Sequence, residues 1–143
     1  MKFKLNFTFE AYLHINSSKI RSAITQLRVS SHHLQIEKGR HHKPKPIPLE
    51  ERKCIYCTDN TIEDEKHFLL HCPRYSDQRF ILFSLLKNHI PISVNTSDEI
   101  FKALLNLNIS LSRQLGKFII NALAIRGQRN NCFTGMHNLL FSS

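Results

Sequence analysis

The sequence predicts a mainly α-helical fold, one small domain in which a zinc-binding turn joins a basic N-terminal part to C-terminal helices. Apolar residues recur at helical spacing in several segments, and no two segments alternate in a way that would pair them as strands. Three cysteines and a histidine lie close together, and the excess of basic residues is densest just before them. The 143 residues are 41% hydrophobic and 22% charged, which is typical of a globular chain and excludes a disordered tail or a fibre.

The N-terminal segment contains one undecided element and one clear helix. In residues 1–9 apolar and polar side chains alternate, which is compatible with a short strand or with the approach to a helix. Ser17 or Ser18 is then suited to cap a helix. The apolar positions at i, i+3, i+4 and i+7 are Ile20, Ala23, Ile24 and Leu27. This pattern predicts an amphipathic helix with basic residues on its polar sides.

Residues 30–53 are rich in basic residues, histidine and proline. Pro44, Pro46 and Pro48 lack an amide hydrogen and restrict the backbone, so this stretch cannot continue as a helix. Gly39 offers a point of chain reversal. We predict a basic extended strap of polyproline character between the first helix and the metal-binding segment.

Three helices are predicted after the cysteine cluster. The first ends before Pro91, the second begins at Ser97 with acidic residues in its first turn, and the third ends at Gly127, a suitable C-cap. The apolar residues of the first helix are Tyr75, Phe80, Phe83 and Leu86. Those of the third helix are Leu111, Leu115, Phe118, Ile119, Ala122 and Leu123.

The resulting organisation has four parts. Residues 1–53 form the basic helix and strap, residues 54–73 contain the metal ligands, residues 74–127 form the C-terminal helices, and residues 128–143 are a weakly structured tail. Cys132 lies in that tail, away from the other cysteines, and no role is assigned to it.

The strongest chemical signal is the spacing Cys54-x2-Cys57-x9-His67-x4-Cys72. Two cysteines separated by two residues can turn both sulfurs toward one point, and the segment that leads to Cys72 reads as a short helix carrying His67. Three thiolates and one imidazole form a closed tetrahedral set that suits structural Zn²⁺ and leaves no position for a catalytic water. We therefore predict Zn²⁺ as the cofactor.

Two alternatives concern the same segment. His71 follows His67 by four residues and would share its helix face, so it could replace Cys72 as a ligand; we favour Cys72 because zinc prefers the thiolate. Cys54 and Cys57 could instead be a redox pair. Such pairs begin a helix that follows a buried strand, and neither flank of this motif has that pattern.

The charge distribution indicates a polyanionic partner. The formal net charge is +9, and residues 17–53 contain nine Lys and Arg against three Glu, a net charge of +6. Such a density favours RNA or DNA, and His41 and His42 could stack on unpaired bases. The candidate contact residues are Arg21, Arg28, Lys38, Arg40, Lys43 and Lys45. The alternative is a zinc-stapled helical protein-interaction domain whose basic face contacts only solvent.

Two expectations concern residues next to the ligands. The acidic residues 63–65 should face away from the nucleic-acid surface, because they would repel phosphates. Tyr56 follows the first ligand closely and should either stack on a base or pack against Phe68.

Several function classes find no support in the sequence. It contains no glycine-rich phosphate loop, no Ser/His/Asp arrangement and no paired aspartates for Mg²⁺ chemistry, so we expect no enzymatic activity. No run of about 18 apolar residues would span a membrane, and the N-terminal stretch lacks the continuous apolar region of a signal peptide. We expect an intracellular protein, nuclear or cytoplasmic, without a membrane partner and with an undetermined oligomeric state.

Two stretches resemble a known family. RSAITQLRVSSHHLQIEKGRHHKPKPIPLEERKCIYC, followed by EDEKHFLLHCPRY, is similar to the C-terminal region of non-LTR (LINE-type) retrotransposon reverse transcriptase polyproteins, over roughly residues 9–127. The resemblance implies a zinc-binding cluster at Cys54, Cys57, His67 and Cys72. It also implies a basic stretch that helps hold template RNA or target DNA, matched here by Arg21, Arg28, His32, Lys38 and Arg40. No segment matches the polymerase palm or the endonuclease of these polyproteins, so the resemblance implies a non-catalytic module.

Overall fold

The computed structural model of the chain describes residues 10–90 and 96–127. Within these ranges the fold is mainly helical, as predicted, and contains no β-strand beyond one isolated antiparallel bridge between Lys53 and Ile62. The α-helices are α1 (Ser18–Arg28), α2 (Gln35–Arg40), α3 (Ser76–Leu86), α4 (Ser97–Leu105) and α5 (Ile109–Gly127). The shorter elements are 3-10 turns at Ala11–His14, Leu49–Glu51 and Pro73–Tyr75 and a turn of π-helix at His67–His71. The predictions for residues 1–9, the tail 128–143 and Cys132 lie outside the described residues.

Helix α5 is the centre of the fold, and α1, α3, α4 and the first 3-10 turn pack against it. Its buried residues are Ser112, Leu115, Gly116, Phe118, Ile119 and Ala122, most of which belong to the predicted stripe. Gly116 lets α1 approach closely, because a Cβ at this position would lie 2.4 Å from Cγ2 of Ile20. None of the described helices has the length and apolar content needed to cross a membrane.

Helices α1 and α4 begin where the sequence predicts. The hydroxyl of Ser17 accepts a hydrogen bond from the backbone N–H of Ile20, and Thr96 and Glu99 form a reciprocal capping box at the start of α4. The buried residues of α1 are Ala23, Ile24 and Leu27. Local sequence signals therefore suffice to place both helices.

The side chains buried on and next to α3 differ in part from the predicted set. Leu82 and Leu86 are buried on the helix, and Tyr75 is buried just before it. Phe80 is 74% exposed, which corrects its predicted place on the apolar side. The reason is geometric, because residues two apart on an α-helix lie about 200° apart around its axis, and Leu82 faces the core.

Part of the predicted strap is helical. Lys38, Gly39 and Arg40 lie on α2 and not in an extended segment. Helix α2 forms because its first backbone N–H groups have acceptors outside the helix. The N–H of Gln35 donates to Oε2 of Glu63 (2.7 Å), and the following N–H donates to the carbonyl oxygen of Glu63 (3.1 Å).

The proline-containing stretch after α2 is not helical, as predicted, but it closes into a loop. The N–H of Ile47 donates to the carbonyl oxygen of Gly39 (2.8 Å). The side chain of Arg52 crosses the base of this loop and donates to the carbonyl oxygen of Ile47 through Nε (2.9 Å) and to that of Ile36 through Nη1 (3.2 Å). These bonds hold the two ends of the loop together.

Candidate metal centre

The four predicted ligands meet in the structure. The ligand atoms of Cys54, Cys57, His67 and Cys72 all lie within 4.8 Å of one another. The Sγ atoms of Cys54 and Cys57 are each 3.8 Å from Sγ of Cys72, and Sγ of Cys57 is 3.4 Å from Nε2 of His67. A single metal ion could contact all four. In residues 10–90 and 96–127, no other group of three or more Cys, His, Asp or Glu brings its ligand atoms together in this way.

The first two ligands lie on a short closed turn. The N–H of Cys54 donates to the carbonyl oxygen of Thr61 (2.9 Å), next to the isolated bridge between residues 53 and 62. Asn60 reverses the chain with a φ of 57°, in the left-handed region that asparagine tolerates better than most residues. This turn positions Cys54 and Cys57 for a common ion.

The other two ligands are His67, the first residue of the π-turn, and Cys72, which follows the last residue of that turn. The N–H of Cys72 donates to the carbonyl oxygen of His67 (2.8 Å), a bond from residue i+5 to residue i. In a regular α-helix, residues five apart point about 140° apart, whereas the wider π-turn lets both side chains reach the same point. The same widening leaves His71 exposed and outside the group. The structure therefore favours Cys72 over His71.

The ligands are largely removed from solvent, and this burial changes their acidity. Burial, reinforced by the neighbouring thiols, raises the pKa of Cys57 to about 12, and burial also raises the pKa of Cys72. Burial lowers the pKa of the His67 imidazole. Without a cation, burial thus favours the neutral thiols of Cys57 and Cys72 and the neutral imidazole of His67, so a metal ion must displace the protons of these two thiols when it binds.

Arg79 connects the metal centre to α3. Its guanidinium donates three hydrogen bonds to backbone carbonyl oxygens, and burial lowers the pKa of the group. The acceptors are Leu69, Phe68 and Cys72, at 2.8, 3.2 and 2.9 Å. The Phe68 ring packs edge-on against Tyr75, 5.0 Å between centroids, and lies 5.9 Å from the ring of Phe118 in α5. The centre is therefore continuous with the hydrophobic core.

Glu63 joins the metal-binding segment to α5 and α2. Its carboxylate accepts hydrogen bonds from Nε and Nη2 of Arg126 (3.1 and 2.7 Å), and its Oε2 also accepts the bond from Gln35. The residue is only 1% exposed. Such a bidentate, charge-assisted pair is the arrangement that best compensates the cost of burying a carboxylate.

Glu65 makes a second connection, to the segment after α1. Its Oε1 accepts a hydrogen bond from the hydroxyl of Ser30 (2.8 Å) and pairs with Nε2 of His32 (2.9 Å). Burial alone would raise the pKa of this carboxyl, but the hydrogen bonds outweigh it and hold the pKa of Glu65 below its ordinary value. Both glutamates therefore point into the fold and contact residues of the basic segment 17–53, which the expectation that residues 63–65 face away from the nucleic-acid surface did not foresee.

Tyr56 ties the cysteine turn to the end of α5. Its hydroxyl donates to the carbonyl oxygen of Arg126 (2.6 Å). The guanidinium of Arg74 lies 4.1 Å from the centre of its ring, and that of Arg126 lies 5.6 Å away. The ring therefore combines cation–π contacts with packing against the edge of the core cluster that includes Phe68, and base stacking by Tyr56 stays a prediction.

Two of the predicted nucleic-acid contacts, Arg21 and Arg28, are bound within the fold. The Arg28 side chain is 7% exposed, pairs with Glu10 and donates to the carbonyl oxygen of Leu105 (2.7 Å). Arg21 donates to the carbonyl oxygens of Ile15 and Asn16. Arg21 thus holds the segment between the first 3-10 turn and α1, and Arg28 holds Glu10 and the end of α4 against α1.

The other four predicted contacts are exposed. Lys38 and Arg40 lie on α2, and Lys43 and Lys45 lie in the loop that follows. Arg40 lies 3.2 Å from the carboxylate of Glu37. In the part of the chain that the structure describes, the three lysines have no ion-pair partner.

The supporting residues Arg79 and Arg126 and the inward orientation of Glu63 were missed by sequence reasoning. Each depends on a partner that is distant in the sequence or on backbone carbonyl groups, neither of which leaves a local pattern. The one available signal was the position of Glu63 and Glu65 so close to buried ligands, where a free carboxylate would be costly.

No protein-family model matches the sequence, and no curated protein or solved structure is significantly similar to it.

Proposed function

We propose that the chain is a non-catalytic, zinc-stabilised nucleic-acid-binding module, derived from the C-terminal region of a LINE-type retrotransposon reverse transcriptase. The donor set supports zinc. Four ligands around Zn²⁺ at a Zn–S distance of about 2.3 Å place their sulfurs about 3.8 Å apart. The Sγ atoms of Cys54 and Cys57 each lie 3.8 Å from Sγ of Cys72. With His67 as the fourth ligand the set is complete, and a catalytic water has no position.

The observation that carries nucleic-acid binding is the set of exposed cations on residues 38–45. We call this segment the basic loop. Lys38, Arg40, Lys43 and Lys45 are exposed, and the three lysines have no ion pair with any described residue. Such cations would neutralise phosphates of a nucleic acid, and the release of the counterions condensed on its backbone would drive binding.

The basic loop is held in shape before any partner binds. The hydrogen bond between Gly39 and Ile47 closes its base, and the Arg52 side chain crosses that base so closely that a Cβ on Gly39 would lie 2.5 Å from Cγ of Arg52. A preformed loop loses less conformational entropy on binding than a flexible one.

The metal centre supports the loop through Glu63. This residue follows the cysteine turn, bonds the start of α2 and is held by Arg126. Since α2 carries Lys38 and Arg40, the orientation of these cations depends on the metal-bound turn. Zinc therefore acts on nucleic-acid binding indirectly, as a structural ion.

The resemblance to LINE-type polyproteins supports the same function. The basic residues that it matches divide into two groups: Lys38 and Arg40 are exposed, whereas Arg21, Arg28 and His32 are bound within the fold. We therefore assign the contact role to the basic loop and leave Arg21 and Arg28 out of it.

Salt-dependent binding of a labelled single-stranded RNA or DNA tests the proposal. If the four exposed cations each contact a phosphate, log affinity should fall with log salt at a slope of about −3. The variant Lys38→Gln/Arg40→Gln/Lys43→Gln/Lys45→Gln should lose most binding at about 150 mM salt while its zinc content and helicity stay unchanged.

A matched control removes the same charge elsewhere. Lys87→Gln/Lys102→Gln/Arg113→Gln/Lys117→Gln changes four exposed bases outside the basic loop. We expect this variant to bind almost as well as the parent. Equal binding by the parent and the basic-loop variant would contradict the proposal.

The apolar face of α3 favours a second candidate function, a zinc-stapled protein-interaction domain. Phe80, Ile81 and Leu85 are 74%, 61% and 48% exposed on this helix, and such a group of apolar side chains is typical of an interface. If the chain binds no nucleic acid, and if Phe80→Ser/Ile81→Ser abolishes self-association seen by sedimentation, this second function is the better explanation.

A further inference from the structure

A groove of about 750 Å³ lies between the end of α1, helix α2 and the last turns of α5. Its lining includes His33 from the α1–α2 connection, Lys38 and His41 from α2 and its end, and Leu123 from α5. Lys38 and His41 also belong to the basic loop, so the groove opens beside the proposed nucleic-acid surface. Its volume is typical of sites that hold a small organic group.

The α1–α2 side of the groove is held in place by the fold. Ser30 has a φ of 56°, a left-handed conformation that is rare for residues other than glycine. The N–H of Ser31 donates to the carbonyl oxygen of Gln26 (2.8 Å). Ser30 and His32 both hydrogen-bond the buried carboxylate of Glu65. A ligand would therefore meet a wall that is already formed.

Most of the charged groups that line the groove are paired with one another or with the metal-binding segment. Glu37 lies 3.2 Å from Arg40 and 3.6 Å from His41, and Arg126 is bound to Glu63. Lys38 is exposed and has no ion-pair partner among the residues described. The ammonium of Lys38 could therefore contact a phosphate outside the groove. Because the other charged groups of the lining already have partners, the interior suits an uncharged ring.

We infer that this groove holds one unpaired base of a single-stranded nucleic acid whose phosphates contact the basic loop, an inference that rests on the proposed function. His33 and His41 are exposed and supply imidazole rings for stacking, the interaction by which proteins hold splayed bases. Leu123 supplies an apolar contact. A second metal ion does not explain the groove, because in the described ranges only the Cys3His group brings ligand atoms together.

The test uses two labelled strands of about 12 nucleotides, one with bases and one abasic throughout. Fluorescence anisotropy measures the affinity of the protein for each strand. The measurement is made at pH 8, where an ordinary histidine is neutral. His33→Ala/His41→Ala should weaken binding of the strand with bases about tenfold, the loss expected for a stacked base. It should leave the abasic strand and the salt slope unchanged. His33→Phe/His41→Phe should retain the affinity of the parent, because phenylalanine stacks but carries no charge.

His71→Ala/His89→Ala, two exposed histidines outside the groove, is the matched control and should bind both strands as the parent does. If the parent binds neither strand, the proposed function fails and the inference fails with it. If the parent binds both strands, but the groove variant binds like the parent or loses both strands equally, the inference alone is overturned.

Discussion

The arginines around the metal centre and the lysines of the basic loop differ in what their positive charges contact. Around the centre, Arg79 and Arg126 are largely buried; Arg79 donates hydrogen bonds to three backbone carbonyl oxygens, and Arg126 donates two to the carboxylate of Glu63. In the basic loop, Lys38, Lys43 and Lys45 are exposed and have no ion pair with a described residue. One group of cations holds the fold together, and the other is available to a partner.

The difference follows the chemistry of the two side chains. A guanidinium presents several donors in one plane and is weakly hydrated, so it suits sites with several acceptors, whereas an ammonium is strongly hydrated and stays in solvent. The net charge of +9 therefore overstates the charge that a nucleic acid would meet. We therefore expect mutation of the arginines to lower stability and mutation of the lysines to weaken the proposed nucleic-acid binding.

The largest expected effect follows removal of the metal. Cys57→Ser leaves three ligands. Metal binding and folding are coupled in such sites, with about 10–16 kcal/mol of apparent binding energy in zinc-finger peptides. The variant should therefore lose its bound zinc and its cooperative thermal unfolding. Elemental analysis and circular dichroism measure both. A chelator should have the same effect on the parent.

His71→Ala is the matched control for that experiment. His71 is exposed and lies outside the ligand group, so the variant should keep one zinc per chain and the melting temperature of the parent. A loss of zinc in this variant, with retention in Cys72→Ser, would reverse the assignment of the fourth ligand.

The next largest effect distinguishes the buried arginines from the exposed lysines. Arg126→Gln leaves the buried carboxylate of Glu63 without its charged partner, and we expect the free energy of unfolding to fall by about 3 kcal/mol. Lys38→Gln should change it by less than about 0.5 kcal/mol but weaken nucleic-acid binding. Urea denaturation measures the stability of both variants, and fluorescence anisotropy measures their nucleic-acid binding. Similar stability losses in the two variants would contradict the distinction between fold-supporting arginines and exposed lysines.

Arg28 gives a smaller effect of the same kind. Arg28→Lys keeps the charge but loses the donors that reach Glu10 and Leu105 together, so unfolding should become easier by about 1–2 kcal/mol. The folded variant should bind nucleic acid with the affinity of the parent. Weaker binding at a temperature where the variant is fully folded would return Arg28 to the contact surface.

The smallest effect concerns the shape of the basic loop. Gly39→Ala places a methyl group 2.5 Å from Cγ of Arg52, so the guanidinium must move away from its two carbonyl acceptors. We expect a stability loss of about 1 kcal/mol and a severalfold loss of nucleic-acid affinity, since the loop is less well ordered before binding. Unchanged affinity would mean that the shape of the loop is unimportant and that only its charge acts.

Much of the fold could be predicted because the deciding signals are local. The caps of α1 and α4 and the apolar stripe of α5 lie within a few residues of what they determine. Helix α2 was not predicted because its first N–H groups are satisfied by Glu63, 28 residues beyond Gln35. The exposure of Phe80 depended on which face of α3 meets α5, and several faces of that segment are apolar.

The sequence alone determined the helical class of the protein and the four residues that come together as a candidate metal site, because both depend on spacing along a short piece of chain. Tertiary structure decided which charges serve the fold and which remain free. Arg28 bonds the backbone of Leu105, 77 residues away, and Arg126 bonds Glu63, 63 residues away. The free energy of a buried charge depends on the position of its partner, and for Arg28 and Arg126 tertiary packing sets that position.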